Sequence, residues 1–335
     1  MPFDKWQIIN LQSKSMDGIL IIDKPAGITS HDVVARCRRI LRTKRIGHTG
    51  TLDPFATGVM VILVERATRL AQFLDKDRKE YEATVRFGFE TDTGDRTGEL
   101  RITNPELRDF SDEELEAILK DFRGEIKQTP PMFSAKKIAG KKLYELARQG
   151  IEIERKAVKV NIYELEMLNE LRNEEVHSQQ STVHNPQTEN SFDSRQRTVD
   201  CRLLVACSAG TYIRTLAEDI GKKLETGAHL AGLRRTRAGK FAIEKAVTLE
   251  KLEEIVAANN LTEVLISANQ AVSHLPEIKL STEDASNIKN GKKLNADLPE
   301  SADKTFVRLT ENENLIAVGI YDSEEKTVQP KVVLI

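Results

Sequence analysis

Three cysteines in 335 residues, with no C-x-x-C spacing, give this chain no disulfide framework. Cys201 and Cys207 fall on one predicted strand, about 20 Å apart along an extended chain, so both read as packing residues. No run approaches eighteen apolar residues, which excludes a membrane-spanning helix. The first sixteen residues lack the charged, apolar and small-residue regions of a signal peptide, so the cytoplasm is the expected compartment. An excess of one charge is missing too. Fifty basic against 52 acidic residues leave a net −2, and total charge says nothing about a polyanionic partner. Its distribution says more. Arg36, Arg38, Arg39, Arg42, Lys44 and Arg45 crowd together, Lys136, Lys137, Lys141 and Lys142 form a second group, and Arg234, Arg235, Arg237 and Lys240 a third. Acids collect toward the C-terminal end. Separation of this kind focuses a polyanion onto one face, although any surface with 30% charged residues is patchy.

What is present suits a globular protein: 39% hydrophobic residues, and length for one sizeable domain plus a smaller one. Gly18 to Ile22 is a short apolar run ending in Asp23-Lys24-Pro25-Ala26-Gly27, a strand entering a turn. Ser30 is the expected cap of a helix burying Val33, Val34, Cys37, Ile40 and Leu41, with arginines opposite. Residues 45–58 hold Gly47, Gly50, Pro54 and Gly58 and read as a loop before the apolar strand Val59 to Val64. Tyr81, Ala83, Val85 and Phe87 alternate with Glu82, Thr84 and Arg86 as a half-buried strand. Ser111 and Glu114 form a capping box for another helix. A strand from Val199 to Cys207 turns at Ser208 to Thr211 into a helix burying Ile213, Leu216, Ala217, Ile220 and Leu224. Strands outnumber the helices between them without a regular βαβ period, which predicts an α+β fold on a mixed sheet. Residues 172–198 are polar and poor in aliphatics, and read as a disordered insertion. A helical connector begins near Thr248, and Pro276 opens a last, β-rich segment.

The loop Gly47-His48-Thr49-Gly50-Thr51-Leu52-Asp53-Pro54 carries the clearest chemical signal. Its glycines allow close backbone approach and Pro54 biases Asp53 toward an extended conformation. It holds no G-K-[ST], so a phosphate loop is not supported. By itself, an Asp-Pro in such a loop is a turn former, and Tyr81 on a strand face is core.

The surroundings change that weighting. GILIIDKPAGITSHDVV (18–34) and RIGHTGTLDPFATG (45–58) closely resemble the opening motifs of the TruB family of tRNA pseudouridine-55 synthases. The resemblance continues, in family order, through KEYE (79–82), TDTGD (91–95), PMFSAKKIAGKKLYE (131–145), SAGTYIRT (208–215) and GAHLAGLRR (227–235). It implies a pseudouridine synthase fold, with a mixed, largely antiparallel sheet and flanking helices, and loosely a small C-terminal PUA-like RNA-binding domain. The corresponding bounds are an N-terminal extension at 1–17, a catalytic domain at 18–250, a connector at 251–275 and the PUA-like domain at 276–335. Within the catalytic domain a thumb covers about 128–156.

Site roles follow from the same resemblance. Asp53 matches the carboxylate that attacks the nucleoside, Tyr81 the tyrosine stacked on the uracil, and Arg214 the arginine paired with the aspartate. Tyr212 lies beside Arg214, Leu233 matches the apolar floor under the base, and His48 fills the gap left by the flipped uridine. Lys24 and Pro25 match the motif bracing the active-site loop. Arg214, a cation in the first turn of its helix, opposes the macrodipole, and a carboxylate outside the helix is expected to hold it.

The chemistry is consistent with these types. N1–C1′ breaks, the uracil rotates and C5–C1′ forms, so nothing is oxidised, no group is imported, and neither cofactor nor metal is expected. A stacked uridine must be flipped out at a cost of roughly a few kcal/mol, and an imidazole in the gap recovers part of it. The implied substrate is the T-arm of tRNA, bound by a monomer without an obligate protein partner. Phe133, where a tyrosine is frequent, and the polar insertion depart from the pattern. Two rivals remain: a tRNA-folding chaperone without chemistry, and the catalytic subunit of a guide-RNA-dependent complex.

Overall fold

The computed structural model describes residues 16–334 apart from 76, 102–107, 135–136, 139, 148, 152, 170 and 176–196. β1 (Gly18–Lys24) and β3 (Thr57–Val64) pair antiparallel from Gly18↔Val64 to Lys24↔Gly58. Every β3 residue except Thr57 is buried, because the strand serves two apolar clusters. Val59, Val61 and Leu63 meet Ile19, Ile21 and Phe73, while Met60, Ile62 and Val64 meet Leu20, Val33 and Leu252.

α1 (Ser30–Ile40) buries Val33, Val34 and Cys37. Its cap is Thr29, one residue before the expected Ser30. The Thr29 hydroxyl accepts from the Asp32 N–H at 3.1 Å, and Asp32 accepts from the Thr29 N–H at 2.8 Å. This reciprocal box leaves Ser30 free to face inward. β2 (Ile46–Thr49) corrects the reading of 45–58 as loop throughout: it pairs with β3 from Ile46↔Val64 to Thr49↔Val61. Gly47 masks the strand signal, but the buried edge of β3 needs partners for its peptide groups. The loop proper is 50–56.

α2 (Ala71–Leu74) buries Phe73 and Leu74. β4 (Lys79–Phe87) shows the expected strict alternation of buried and half-buried residues. The two-residue strands β5 (Glu90–Thr91) and β6 (Leu100–Arg101) then form a hairpin. α3 (Asp112–Lys120) is capped by Ser111 as expected, but Glu114 pairs with Arg108 at 2.5 Å, so salt bridging replaces half of the predicted box. β7 (Gly124–Gln128) follows, then the small hairpin β8 (Lys137–Ile138) and β9 (Lys141–Lys142), α4 (Leu143–Ala147) and β10 (Val158–Met167).

β11 (Arg172–Glu175) and β12 (Arg197–Cys207) pair from Arg172↔Asp200 to Glu175↔Arg197. Both ends of the span read as a disordered insertion are therefore strand; residues 176–196 lie outside the described residues. Polar strands at a sheet edge carry no apolar alternation to reveal them. α5 (Ile213–Lys223) and β13 (Ala228–Ala238) complete the unit, with β14 (Phe241–Ala242) paired to β13.

The main sheet runs β1-β3-β13-β4-β12-β10-β7, with β2 beside β3 and β11 beside β12. It is antiparallel except where β13 meets β3 at Arg234↔Thr57 and Arg235↔Gly58, so the α+β, mixed-sheet expectation holds. α5 and α3 pack Leu216, Ile220, Leu115 and Leu119 against Val85 and Phe87 of β4. α6 (Leu249–Ala257), capped by Thr248, and α7 (Ala268–Ala271) lead to a second sheet. That sheet orders β15 (Glu277–Lys279), β17 (Phe306–Glu311), β18 (Asn314–Asp322), β19 (Thr327–Val333) and β16 (Leu294–Asn295). It carries one helix that composition did not reveal, α8 (Thr282–Lys289), burying Ala285 and Ile288. Leu315, Val318 and Val332 join the cluster of Ile19 and Val59, docking this sheet on the first. Among the described residues no helix is long and apolar enough to cross a membrane.

Candidate active site

The residues between β2 and β3 enter a cavity of about 260 Å³ whose lining includes Asp53, Tyr81, Tyr212, Arg214, Leu233 and Arg235. Four separate segments deliver them. Asp53 comes from the loop, Tyr81 from β4 and Leu233 from its neighbour β13; Tyr212 caps α5, which places Arg214 second in the helix. The helix thus starts later than the expected Gly210 or Thr211.

Arg214 is 6% exposed and grips Asp53 side-on: Nε lies 3.1 Å from one carboxylate oxygen and Nη2 3.3 Å from the other. Its remaining donors reach the Thr93 carbonyl at 3.0 Å and the Phe133 carbonyl at 2.6 Å. Because Phe133 contributes its backbone, the absent tyrosine hydroxyl does not affect this contact. Asp95, 3.5 Å from Arg214, is a second carboxylate at the site, one that no sequence signal marks. It is buried and accepts from the hydroxyls of Thr93 and Thr97 and the Thr97 N–H, at 3.0, 2.6 and 2.9 Å. Two carboxylates thus offset the cation that the helix N-terminus disfavours.

The loop is held from below. Lys24 is completely buried, and its ammonium donates to the carbonyls of Pro25, Pro54 and Ala56 at 3.0, 3.1 and 2.6 Å. Pro25 itself is exposed and contributes that carbonyl, while Gly27 N–H donates to the Pro54 carbonyl at 2.8 Å. Ser30 accepts from the Leu52 N–H at 2.9 Å and donates to its carbonyl at 3.0 Å. Only the displaced cap frees it for this, a role no sequence signal announced. Gln128 likewise clamps Tyr212 through that residue's N–H and carbonyl at 3.0 and 3.2 Å. His48 sits on β2, half-buried and off the cavity wall, with a buried Nδ1 that has no hydrogen-bond partner among the described residues.

Burial pushes the Asp53 carboxyl above its ordinary value, and Asp95 adds to this; Arg214 and Lys24 pull it back. Desolvation thus outweighs the pull of the arginine. Burial also draws the Lys24 ammonium down to about 8, raises the Tyr81 phenol and lowers His48. A half-buried carboxylate gripped by a fork and faced by an aromatic ring and an apolar floor can hold a planar base beside a nucleophilic oxygen. Among the described residues no group of three or more His, Cys, Asp or Glu side chains could hold a metal.

Residues 38–213 match the family described as TruB family pseudouridylate synthase (N terminal domain), and residues 214–273 match tRNA pseudouridylate synthase B C-terminal domain. The chain belongs to the TruB family. A TruB relative from Solibacter usitatus, named tRNA pseudouridine synthase B, is 41% identical over 91% of this chain and 95% of its own length. One of the same name from Geobacillus kaustophilus is 44% identical over 82% of this chain and 90% of its own. Among solved structures, a chain from a Cbf5-Nop10-Gar1 complex superposes with a TM-score of 0.68 and 26% identity, covering 96% of this chain and 85% of that one.

Proposed function

We propose that this TruB-family chain converts uridine 55 in the T-loop of tRNA to pseudouridine, with Asp53 as the nucleophile. The observation that carries the reading is the Arg214 fork on Asp53 inside a cavity lined by Tyr81, Tyr212 and Leu233. The fork fixes both carboxylate oxygens, so one can approach C1′ without losing orientation. Tyr81 stacks on the flipped uracil, Leu233 supports its other side, and His48 takes the vacated place in the T-loop stack. Lys24, Pro25 and Ser30 fix the loop that presents the carboxylate. The isomerisation exchanges one bond of the same base for another, so no cofactor enters its balance.

The chain acts alone, as a cytoplasmic monomer. Support comes from the relatives named tRNA pseudouridine synthase B, whose identities of 41% and 44% exceed the 26% to the Cbf5 chain. Purified protein given unmodified tRNA, without guide RNA or a second protein, should yield pseudouridine at one T-loop position. A strict need for a guide would support the guide-dependent alternative, and binding without turnover the chaperone.

A further inference from the structure

Arg235 heads the fully buried side chains by volume, at 1% exposure. Its neighbours on β13 have acids: Arg234 pairs with Asp23 at 2.8 Å and Arg237 with Glu80 at 3.0 Å. Arg235 points instead to the cavity, and among the described residues no carboxylate lies within ion-pair distance of it. Its donors go to backbone: Nε to the Val59 carbonyl at 2.7 Å and Nη2 to the Gly50 carbonyl at 3.0 Å.

The charge is felt by groups from several elements. Burial loosens the protons of Lys24 on β1, His48 on β2 and Lys79 on β4, and Arg235 loosens each further. Tyr81, its cross-strand partner, parts with its proton more readily beside the guanidinium than burial alone would allow. Cys207 on β12 lies near Lys79, and two acids act on that lysine: Asp75, exposed at the end of α2 and on the cavity lining, and Asp77; Asp75 also acts on His48. A second buried cation, Lys79, donates to the carbonyls of Asp75 and Asp77, both at 2.7 Å. Two buried cations thus meet at this end of the cavity, and the acid lining it there, Asp75, is exposed and among the described residues makes no ion pair with Arg235. A buried cation without a counter-charge is costly, and a cost kept at a cavity wall points to negative charge that arrives with the occupant.

The geometry points to Arg235 as a second arginine of the reaction centre, positioning Gly50 at the start of the Asp53 loop and stabilising the uracil while it is detached. This rests on the isomerase reading above. When N1–C1′ breaks, the electron pair stays on the base and an Asp53 oxygen bonds to C1′, so the base is a uracil anion. C5 then attacks C1′ and displaces the carboxylate; C5 loses its proton and N1 gains one. Between the two bond changes the anion must be retained and turned, and a fixed positive charge aligned in advance lowers its energy without reorganisation. The positioning follows from backbone geometry. Gly50 has φ +69°, a Cβ there would come 3.3 Å from the guanidinium, and one at Gly58 would come 2.2 Å from the Arg235 carbonyl. Both glycines admit the arginine and its strand.

The test compares full-length wild type, Arg235→Lys and Arg235→Gln in single-turnover reactions on tRNA, with tRNA affinity and thermal melting measured alongside. Arg235→Gln should lose about 10²–10³-fold in rate at unchanged affinity, as for loss of one charge-stabilising donor in other enzymes. Arg235→Lys, which keeps the charge but not the two-carbonyl bridge, should lose about tenfold. A second substrate carries 5-fluorouridine at the target position, and loss of that nucleoside reports N1–C1′ cleavage. Its base leaves as a more stable anion, so the Arg235→Gln deficit should shrink on it. A turnover within about twofold of wild type overturns the inference, as does an equal deficit on both nucleosides or a defect confined to affinity. If Arg235→Gln shows no cooperative melt, the lysine variant carries the same comparison. Failure of the underlying reading is distinct: wild type itself would then leave tRNA unmodified.

Discussion

Arg214 reaches two carboxylates at once, with Nε 3.1 Å from Asp53 and Nη1 3.5 Å from Asp95. Asp95 is locked by Thr93 and Thr97, whereas Asp53 is a third exposed to the cavity, so the arginine ties a movable carboxylate to a fixed one. Arg214→Lys keeps the charge but loses the fork, and should cost about 10²-fold in kcat with tRNA affinity nearly unchanged. The neutral Arg214→Gln also tests the electrostatics. Asp53 loses activity as pH falls through its pKa, which burial raises and Arg214 lowers. Removing the arginine leaves the raising causes opposed only by Lys24, so the acid limb of kcat/KM should move to higher pH. An acid limb that stays put contradicts the assignment.

Lys24 and Ser30 predict a separation of stability from turnover. Lys24→Met takes a donor from three carbonyls, of which Pro54 keeps the Gly27 N–H, and should cost about 2–4 kcal/mol in urea unfolding. Ser30→Ala loses a single side chain's contacts to Leu52, so unfolding should change by only about 1–2 kcal/mol. Because Leu52 adjoins Asp53, turnover on tRNA should nevertheless fall more than tenfold, on the order expected for a misplaced nucleophile. A serine variant with normal kcat would show that the loop is held without it.

Arg39, Arg42, Lys44 and Arg45, at the end of α1 and just beyond it, are exposed, while nearby Arg36 is occupied by Glu250 at 3.0 Å. If they contact phosphates, an isolated T-arm stem-loop should suffice as substrate and bind more weakly as salt rises. Replacing Arg39 and Arg42 with Gln should then reduce the slope of log K against log salt by about two, as filter binding would show. A slope equal to wild type places the RNA on another face.

The pairing Glu175↔Arg197 closes the β11–β12 ladder, and few apolar residues lie between. Replacing 176–196 with Asn-Gly should therefore preserve the hairpin, moving stability by less than about 1 kcal/mol, since loop-closure entropy changes slowly with length. Loss of cooperative unfolding or of turnover would show that the segment has its own contacts.

The sequence was most legible where pattern and burial coincide. The alternation of β4 and the apolar run of β3 each occupy one kind of surface, so periodicity alone located them. It was least legible where tertiary contacts override local signals. Gly47 hides β2, whose existence depends on the open edge of β3; the polar strand β11 is recruited by β12; and Ser30, a good cap by type, is taken by Leu52. The site followed the same division. Asp53, Tyr81, Tyr212, Arg214 and Leu233 converge on one cavity as the motifs implied, whereas His48 lies off its wall. Asp95 and Arg235 were visible only as letters in motifs, because their significance is a distance to Arg214 and, among the described residues, the lack of an acid within ion-pair distance.

Asp53→Asn tests the central claim most directly. The amide fills the same space but cannot act as nucleophile, and it resembles the uncharged carboxyl that burial favours. At pH 7 the variant should therefore melt no lower than wild type and bind unmodified tRNA equally well. Pseudouridine mapping after prolonged incubation should find the T-loop uridine converted by wild type and untouched by the variant. Conversion by the variant above about a thousandth of the wild-type rate would contradict Asp53 as the nucleophile.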